Sequence, residues 1–457
     1  MLHLSKICDA SDWFESEFQQ VIKSELRESP RFHRKQWEFA MIFLALRRLG
    51  YLNKDSTGLS MGGGNERVLY SIARYVKKLF VTDLYSDTTG WDCARTDDPN
   101  DFIRKSKPFE VDDSKIEAMR MDMRDLQFED NTFDFCYSSC AIEHIGDYDD
   151  FIKHINEVHR CLKEGGVYVL TTEFQFGDET IKDPNNYIFS HSYLNEILRS
   201  IELSVFTQPI VTLSENEANF PLPANINNIF DLGSSSSQID HYPNYSHLLL
   251  LRGKHPFTSI SLILKKEEKG EKNNKLKFIG YDESKSFLSE GVKKYKSMLD
   301  TSELTLSPFS SLPDGVSKYF QDHSEFFSDK LNEQECEETI FHTDYFWLGS
   351  NDKLLNISLR FNEPKTVEGT TLQLRVHRYA TLSSEKIEGV FEKEFLIDGL
   401  TELEDKIILS INEEYNYAVL CNIKTGNCEM EKIAIKLKPI KRESENTVAP
   451  ISNVMEI

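Results

Sequence analysis

A run of glycines early in the chain has the composition of a loop that holds a nucleotide-like cofactor. Gly62, Gly63 and Gly64 follow an apolar stretch with strand character, and a helical pattern comes after them. A second apolar stretch ends on Asp83. In a parallel sheet this order places the glycines and the carboxylate at one edge, where the carboxylate can accept hydrogen bonds from two ribose hydroxyls. The segment predicts binding of an adenosine-containing molecule.

The residues after the glycines distinguish between two kinds of cofactor. The nicotinamide fingerprint G-x-G-x-x-G requires a third glycine where this chain has Arg67. Glu66 would place a carboxylate beside a pyrophosphate, and unscreened like charges a few ångströms apart cost on the order of kilocalories. S-adenosylmethionine has no phosphate and carries an ammonium and a sulfonium. The sequence therefore favours S-adenosylmethionine over a nicotinamide cofactor.

The ends of the next two predicted strands carry groups that suit adenine and the reacting centre. Asp122 can accept a hydrogen bond from the exocyclic amine of adenine, and the backbone amide of Met123 can donate to a ring nitrogen. The Met123 side chain can pack on the face of the ring. A fourth predicted strand ends at Ser138 and is followed by Glu143 and His144.

Taken together, residues 35–265 resemble the class I S-adenosylmethionine-dependent methyltransferases. The motifs that carry the resemblance are 59–66, Asp83, Asp122-Met123, 126–134, 138–144 and 158–166. The family's first motif normally begins with an acidic residue where this chain has Ser60. Glu66 is then expected to supply the missing negative charge near the cofactor.

The resemblance implies a set of site residues. The expected cofactor-binding residues are Ser60, Gly62, Gly63, Gly64, Glu66, Asp83, Asp122, Met123, Ser138 and Glu143. Ser138 and Glu143 are expected at the mouth of the cofactor site. His144 is the candidate catalytic base, and a structural histidine bonded to a backbone group is the alternative. Methyl transfer depends mainly on alignment of the reacting atoms, so a dedicated base is not required.

The alternation of strands and helices predicts an α/β fold, with a Rossmann-like, seven-stranded methyltransferase sheet followed by a C-terminal all-β sandwich of jelly-roll type. Strands are predicted at 57–61, 79–83, 119–122, 134–139, 166–173, 201–206 and 257–264, and helices at 65–77, 148–163 and 190–200. The expected domains are N-terminal helices (1–50), the methyltransferase domain (51–265), a linker and mixed segment (266–337), the β-sandwich (338–440) and a disordered tail (441–457).

Bulk composition narrows the choice of partners. The chain has 457 residues and a formal net charge of −22, which disfavours nucleic acid and anionic membranes as partners. The eight cysteines show no spacing typical of a zinc site. The N-terminus lacks the apolar core of a signal peptide, and no apolar run is long enough to span a membrane. We expect a cytoplasmic protein without a metal centre.

The acceptor is expected to be a small molecule or a glycan. Candidate substrate contacts in the long stretch 207–256 are His241, Tyr242 and His247, and Trp37 with Glu38 form either core or a lid. Tyr345, Phe346, Trp347 and residues 375–378 form either a platform for a sugar or partner, or sandwich core. The sandwich is also a candidate surface for self-association or for a protein partner. The alternative function is a catalytically silent binding or scaffold protein with the methyltransferase fold.

Overall fold

The computed structural model describes residues 2–86, 92–223, 246–267, 273–306, 338–343, 345–361, 369–426, 428 and 430–440. Two of the acceptor candidates, His241 and Tyr242, lie outside these residues, as does the tail predicted at 441–457.

A mixed central sheet organises the N-terminal part of the chain. The first twelve strands are β1 (Lys6–Ile7), β2 (Thr57–Met61), β3 (Lys78–Asp83), β4 (Ile116–Arg120), β5 (Phe133–Ser139), β6 (Leu162–Gln175), β7 (Ile181–Asp183), β8 (Asn186–Ile188), β9 (Ser204–Val205), β10 (Leu222–Pro223), β11 (Leu250–Arg252) and β12 (His255–Lys265). Strands β7 and β8 form a separate hairpin. The other ten form one sheet in the order β10-β11-β12-β6-β5-β2-β3-β4, with β1 and β9 paired to β12.

The strand directions identify a Rossmann-like sheet. Strands β4, β3, β2, β5 and β6 are parallel neighbours, and β12 runs antiparallel to β6. The carboxyl ends of β2, β3, β5 and β6 therefore meet at one edge. The predicted α/β class is confirmed. The described part of this sheet has ten strands rather than seven, because β1, β10 and β11 are only two or three residues long and leave no periodic pattern.

Seven α-helices lie in the described ranges. They are α1 (Ser16–Gln20), α2 (Arg34–Arg48), α3 (Arg67–Ala73), α4 (Pro99–Lys105), α5 (Tyr148–Cys161), α6 (His191–Arg199) and α7 (Tyr281–Thr301). Short 3₁₀ turns occur at Ala10–Phe14, Asp92–Ala94, Asp113–Lys115, Ile142–His144 and Glu217–Asn219, and a π turn at Val21–Glu25. Helix α2 is buried continuously from Gln36 to Leu46, which explains why residues 39–46 are all apolar. A capping box between Asp147 and Asp150 fixes the start of α5.

Two antiparallel sheets form the C-terminal part. Their strands are β13 (Leu304–Leu306), β14 (Glu338–His342), β15 (Phe346–Trp347), β16 (Lys353–Phe361), β17 (Thr371–Ala380), β18 (Ile387–Leu396), β19 (Glu402–Leu409), β20 (Tyr415–Thr425) and β21 (Met430–Pro439). The orders are β13-β21-β16-β19 and β14-β20-β17-β18, with β15 paired to β20. Alternate residues of β16 and of β17 enter one shared apolar core, as in packed sheets. The two packed sheets match the predicted sandwich, and its jelly-roll type stays a prediction.

Helix α7 lies within the segment predicted as linker and mixed structure. It has 21 residues, and Leu288 packs in the core of the N-terminal part. Tyr295 and Leu299, further along, are buried in the core of the sandwich. This helix therefore joins the two cores, and the segment from 281 to 301 is structured rather than a loose connection.

Three features are absent from the described residues: a disulfide, a group of side chains arranged to hold a metal ion, and a helix that could span a membrane. No disulfide links the cysteines of these ranges. No three His, Cys, Asp or Glu side chains in the same ranges are arranged to hold a metal ion. None of the described helices combines the length and apolar character that crossing a bilayer requires.

Candidate functional site

The loop after β2 requires glycine at two positions. Gly62 and Gly64 have φ values of +59° and +42°, in the left-handed region that side chains disfavour. A Cβ atom on Gly62 would lie 2.6 Å from Cβ of Ala141, and one on Gly64 would lie 2.5 Å from the carbonyl oxygen of Cys93. The glycines therefore let the loop pack directly between the segment that follows β5 and the turn Asp92–Ala94.

Ser60 packs against the backbone of this loop at Gly63. It is fully buried at the end of β2. Its Oγ would lie 2.3 Å from a Cβ placed on Gly63. A side chain at position 63 would therefore collide with the serine. The structure places Ser60 against the loop backbone, and its predicted contact with a cofactor stays a prediction.

Asp83 at the end of β3 holds the glycine loop in place. Its Oδ2 accepts a hydrogen bond from the Gly64 amide at 3.0 Å, and its Oδ1 accepts one from the Leu84 amide at 2.7 Å. Burial raises the pKa of the Asp83 carboxyl. The Tyr85 amide also donates to this carboxylate, so one of its roughly four acceptor positions remains for a bound molecule. Leu84 beside it is a large apolar side chain that is 59% exposed.

Asp122 follows β4 and is oriented by an arginine that the sequence analysis missed. Arg124 donates from Nε to Asp122 Oδ1 at 3.0 Å and from Nη2 to Oδ2 at 2.7 Å. This hydrogen-bonded pairing holds the pKa of the Asp122 carboxyl below its ordinary value. Arg124 also binds Asp150 at the start of α5, which anchors the pair. The neighbouring Met123 is buried, consistent with an apolar surface at this strand end.

Glu66 is paired with a lysine from a distant part of the chain. Nζ of Lys35, in the first turn of α2, lies 3.4 Å from Glu66 Oε1 and 3.0 Å from Glu38 Oε2, and donates to the Ser139 carbonyl at 3.1 Å. Glu66 Oε2 is buried and has no protein partner. The sequence analysis missed Lys35. The available signal was the basic pair Arg34-Lys35 at the start of a helix that is otherwise buried.

These groups fit the predicted cofactor. The glycines of the loop add no side chains of their own, and Asp83 presents a carboxylate beside the loop. The unpartnered Oε2 of Glu66 is an acceptor suited to an ammonium group. The side chains that would contact the cofactor, Asp83 and Glu66, are acidic. They match a cofactor with positive charges and do not match a pyrophosphate.

Ser138 and Glu143 lie in the interior rather than at the rim. Ser138 is fully buried, and its Oγ is 2.6 Å from the Tyr168 hydroxyl. Glu143 is 1% exposed, and its Oε2 accepts a hydrogen bond from Thr172 Oγ1 at 2.9 Å. Burial raises the pKa of the Glu143 carboxyl. Their side chains therefore do not reach the open mouth at which the sequence analysis expected them.

His144 is partly exposed and points to the β7–β8 hairpin. Its Nδ1 lies 2.7 Å from the carbonyl oxygen of Asn185. Because a carbonyl can only accept, we assign the proton of His144 to Nδ1. This contact with a backbone group is the alternative considered from the sequence. A role as base would then fall to Nε2.

Other candidates belong to the core. Trp37 is fully buried, and its Nε1 donates to Asp12 Oδ2 at 2.7 Å. Phe346 and Trp347 are buried in the sandwich. His247 stacks on His33 with ring centroids 4.6 Å apart. Lid and platform roles are therefore excluded for Trp37, Phe346 and Trp347.

Glu66 makes stability depend on pH. Burial raises its pKa from an ordinary 4.5 to about 7, so between these values the folded protein retains a proton that the unfolded chain releases. The free energy of unfolding contributed by this group therefore falls as pH rises through that window. Glu66→Gln removes the effect and should stabilise the protein at pH 8 by up to about 3 kcal/mol, with little gain at pH 5. Urea unfolding at both pH values measures this difference.

Glu117, whose side chain is about half exposed and pairs with Lys78, supplies the control. Glu117→Gln should leave stability unchanged within about 0.5 kcal/mol at both pH values. An equal gain from Glu66→Gln at pH 5 and pH 8 would contradict the assigned titration.

Residues 59–170 match the family model described as "Methyltransferase domain". This match confirms the family that the motifs predict, over the residues it spans. No curated protein matches the chain.

Several solved structures are similar at low identity. One is the complex between the Haloferax volcanii Trm112 methyltransferase activator and a candidate methyltransferase (15% identity, 57% of this chain and 100% of that chain, TM-score 0.32). Another is geranyl diphosphate C-methyltransferase from Streptomyces coelicolor with Mg²⁺, geranyl diphosphate and S-adenosyl-L-homocysteine (16%, 58% and 90%, 0.34). A third is a geranyl diphosphate methyltransferase in complex with GPP and sinefungin (16%, 50% and 77%, 0.33).

Proposed function

We propose that this chain, whose residues 59–170 match the methyltransferase domain family, is an S-adenosylmethionine-dependent methyltransferase that acts on a small-molecule or glycan acceptor. The observation that carries the proposal is the joint position of the glycine loop and Asp83 at the carboxyl edge of the sheet, within the matched segment.

The proposed roles follow from the chemistry of each side chain. Asp83 accepts from a ribose hydroxyl through its remaining acceptor position, and Asp122, held by Arg124, accepts from the adenine amine. Glu66 Oε2 accepts from the cofactor ammonium. The Lys35 ammonium, between Glu38 and Glu66, is placed to donate to the cofactor carboxylate.

S-adenosylmethionine supplies an electrophilic methyl group when it is bound. The chain's contribution is then to align the acceptor with that group and to exclude water. His144 Nε2 is the candidate acceptor for the proton lost by the methyl acceptor, since Nδ1 is committed to the Asn185 carbonyl. The acceptor would approach from the ends of β5 and β6, next to the cofactor edge of the sheet.

Calorimetry on the full chain tests the proposal. S-adenosylmethionine and S-adenosylhomocysteine should both bind with micromolar affinity, and NAD should not bind. Failure of both sulfur compounds to bind at millimolar concentration would overturn the proposed function.

The second candidate function is the catalytically silent binding protein. The specific observation in its favour is the Lys35–Glu66 pair, which already neutralises the charge that the cofactor ammonium would meet. The two candidates differ in turnover. A silent protein would bind S-adenosylmethionine without forming S-adenosylhomocysteine in the presence of a panel of acceptors and cell extract.

A further inference from the structure

Two arginine–carboxylate pairs lie at one rung of the β7–β8 hairpin, that is, at one pair of residues that face each other across the two strands. Asp183 of β7 and Asn186 of β8 are register partners, so their Cα atoms lie roughly 5 Å apart. Asp183 Oδ2 binds Arg252 Nη2 at 2.7 Å. Asn186 Nδ2 donates to Glu173 at 3.1 Å, and Glu173 in turn pairs with Arg34. The two guanidinium groups therefore flank a single rung.

A glutamine and an aromatic ring lie beside these two ion pairs. Gln175 lies two residues beyond Glu173 on the same face of β6 and is fully buried. Its register partner on β12 is Phe257. The Arg34 guanidinium carbon lies 5.3 Å from the centroid of the Phe257 ring. Arg34, Gln175 and Arg252 thus surround one small region, which we call the rung cluster.

The rung cluster contains buried hydrogen-bond donors that no protein group satisfies. They are Nη1 of Arg34, Nε of Arg252 and Nε2 of Gln175. Buried polar groups in folded proteins are nearly always paired, and leaving each one unpaired costs about 1–3 kcal/mol. Two unpartnered groups that can accept lie nearby, Oε1 of Glu143 beside Glu173 and Nε2 of His255 opposite Arg252. The three donors outnumber them and indicate a bound group that is rich in acceptors.

The charges around the rung cluster favour a singly charged anion over a doubly charged one. Arg34 is balanced by Glu173, and Arg252 by Asp183. A dianion such as a phosphate ester would add two negative charges beside two carboxylates. A carboxylate adds one, and its geometry matches the fork of a guanidinium. The arginine side chains are 19% and 23% exposed, so the cluster is reachable from solvent.

We propose that the rung cluster binds a carboxylate group of the methyl acceptor. The proposal rests on the proposed function, because the cluster lies at the carboxyl end of β6, next to the end of β5 that carries Glu143 and His144. The acceptor class is then a carboxylate-bearing small molecule or sugar acid. The Ser384 amide of the sandwich donates to Asp183 Oδ1 at 2.8 Å, so the C-terminal domain helps to fix the recognition site.

Acetate is the probe for this site. The thermal unfolding midpoint of the full chain is measured in sodium acetate and in sodium chloride of equal ionic strength, with sodium phosphate as a third arm. We expect acetate to raise the midpoint by about 2–4 °C more than chloride. Two variants remove the donors. Gln175→Leu deletes Nε2 together with the Oε1 that accepts from the Gly177 amide, and Arg252→Lys replaces the guanidinium with a single ammonium that keeps the positive charge beside Asp183. Each should lose most of the acetate effect.

Arg378→Lys is the matched control, because Arg378 donates from Nε to Glu388 at 3.0 Å on the sandwich, in a similar pair outside the cluster. It should keep the full acetate effect. An acetate effect of equal size in all variants would overturn the proposal, and so would a larger effect of phosphate than of acetate. Binding of S-adenosylhomocysteine is measured in parallel. If it fails while the acetate pattern holds, the proposed function falls and the carboxylate site stands; if it holds while acetate has no effect, only this inference falls.

Discussion

Asp83→Ala is expected to weaken binding of S-adenosylhomocysteine by at least about 100-fold, corresponding to roughly 2.7 kcal/mol. Two losses combine in this variant. The carboxylate acceptor proposed for the ribose hydroxyls disappears, and hydrogen bonds to charged acceptors contribute about 1.5–3 kcal/mol each. The Gly64 and Leu84 amides also lose the carboxylate that orients the glycine loop. Calorimetry with S-adenosylhomocysteine measures the effect.

The sheet offers a closely matched control at its opposite edge. Asp134 also accepts a backbone hydrogen bond, from the Thr57 amide at 2.8 Å, and it pairs with Lys163. Asp134→Ala removes the same chemical group and lowers stability by a comparable amount, but it should leave the affinity within about two-fold. An unchanged affinity in Asp83→Ala, or an equal loss in Asp134→Ala, would show that the ribose site is misplaced.

The parts of the site that the sequence predicted are those encoded by short segments. The glycine loop and Asp83 follow directly from the order strand, loop, helix and strand, because parallel strands bring their carboxyl ends to one edge. The structure brings Gly64 and Asp83 into direct hydrogen-bond contact. The local pattern also gave the family, and the match over 59–170 confirms it.

The missed parts depend on contacts between distant segments. Lys35 and Glu66 are 31 positions apart, and nothing in either segment specifies the other. The register of β5 turns Ser138 toward Tyr168 in the interior, which a motif alone does not reveal. Arg124 is adjacent to its motif and pairs locally with Asp122, but its second partner, Asp150 of α5, is 26 positions away.

The secondary structure also divides into elements that local sequence predicts and elements that depend on tertiary packing. Elements such as β2 and α5 were predicted close to their true bounds, whereas β4, predicted at 119–122, lies at Ile116–Arg120. Helix α7 was not predicted: its buried residues recur at spacings of three and four, but Ser284 and Gly291 interrupt the apolar character of that stripe, and Leu288 and Tyr295 contact two different cores. Its stability comes from tertiary packing that a local pattern does not encode.

Lys35→Met is expected to lower the free energy of unfolding by about 2–3 kcal/mol at pH 8. The lysine lies between Glu38 and Glu66, and removing one partner of a largely buried ion pair leaves uncompensated charge. The expected loss is at the low end of the range for buried pairs because the ammonium retains some contact with solvent. Burial raises the pKa of Glu38, but the charges of Lys35 and Arg34 outweigh it and hold that pKa below its ordinary value.

The dependence on pH and on a second substitution separates this charge effect from lost packing. Glu66 can take up a proton below its pKa of about 7, so the loss in Lys35→Met should shrink at pH 5. Adding Glu66→Gln should restore part of the stability at pH 8. Lys163→Met, which breaks the more exposed pair with Asp134, should cost no more than about 1 kcal/mol. Urea unfolding at pH 5 and pH 8 compares the wild type, Lys35→Met, Lys35→Met with Glu66→Gln, and Lys163→Met. A loss in Lys35→Met that is the same at both pH values, and that Glu66→Gln leaves unchanged, would contradict the charge effect. It would mean that the lysine stabilises the fold through its hydrocarbon stem and that Glu66 carries no charge needing compensation.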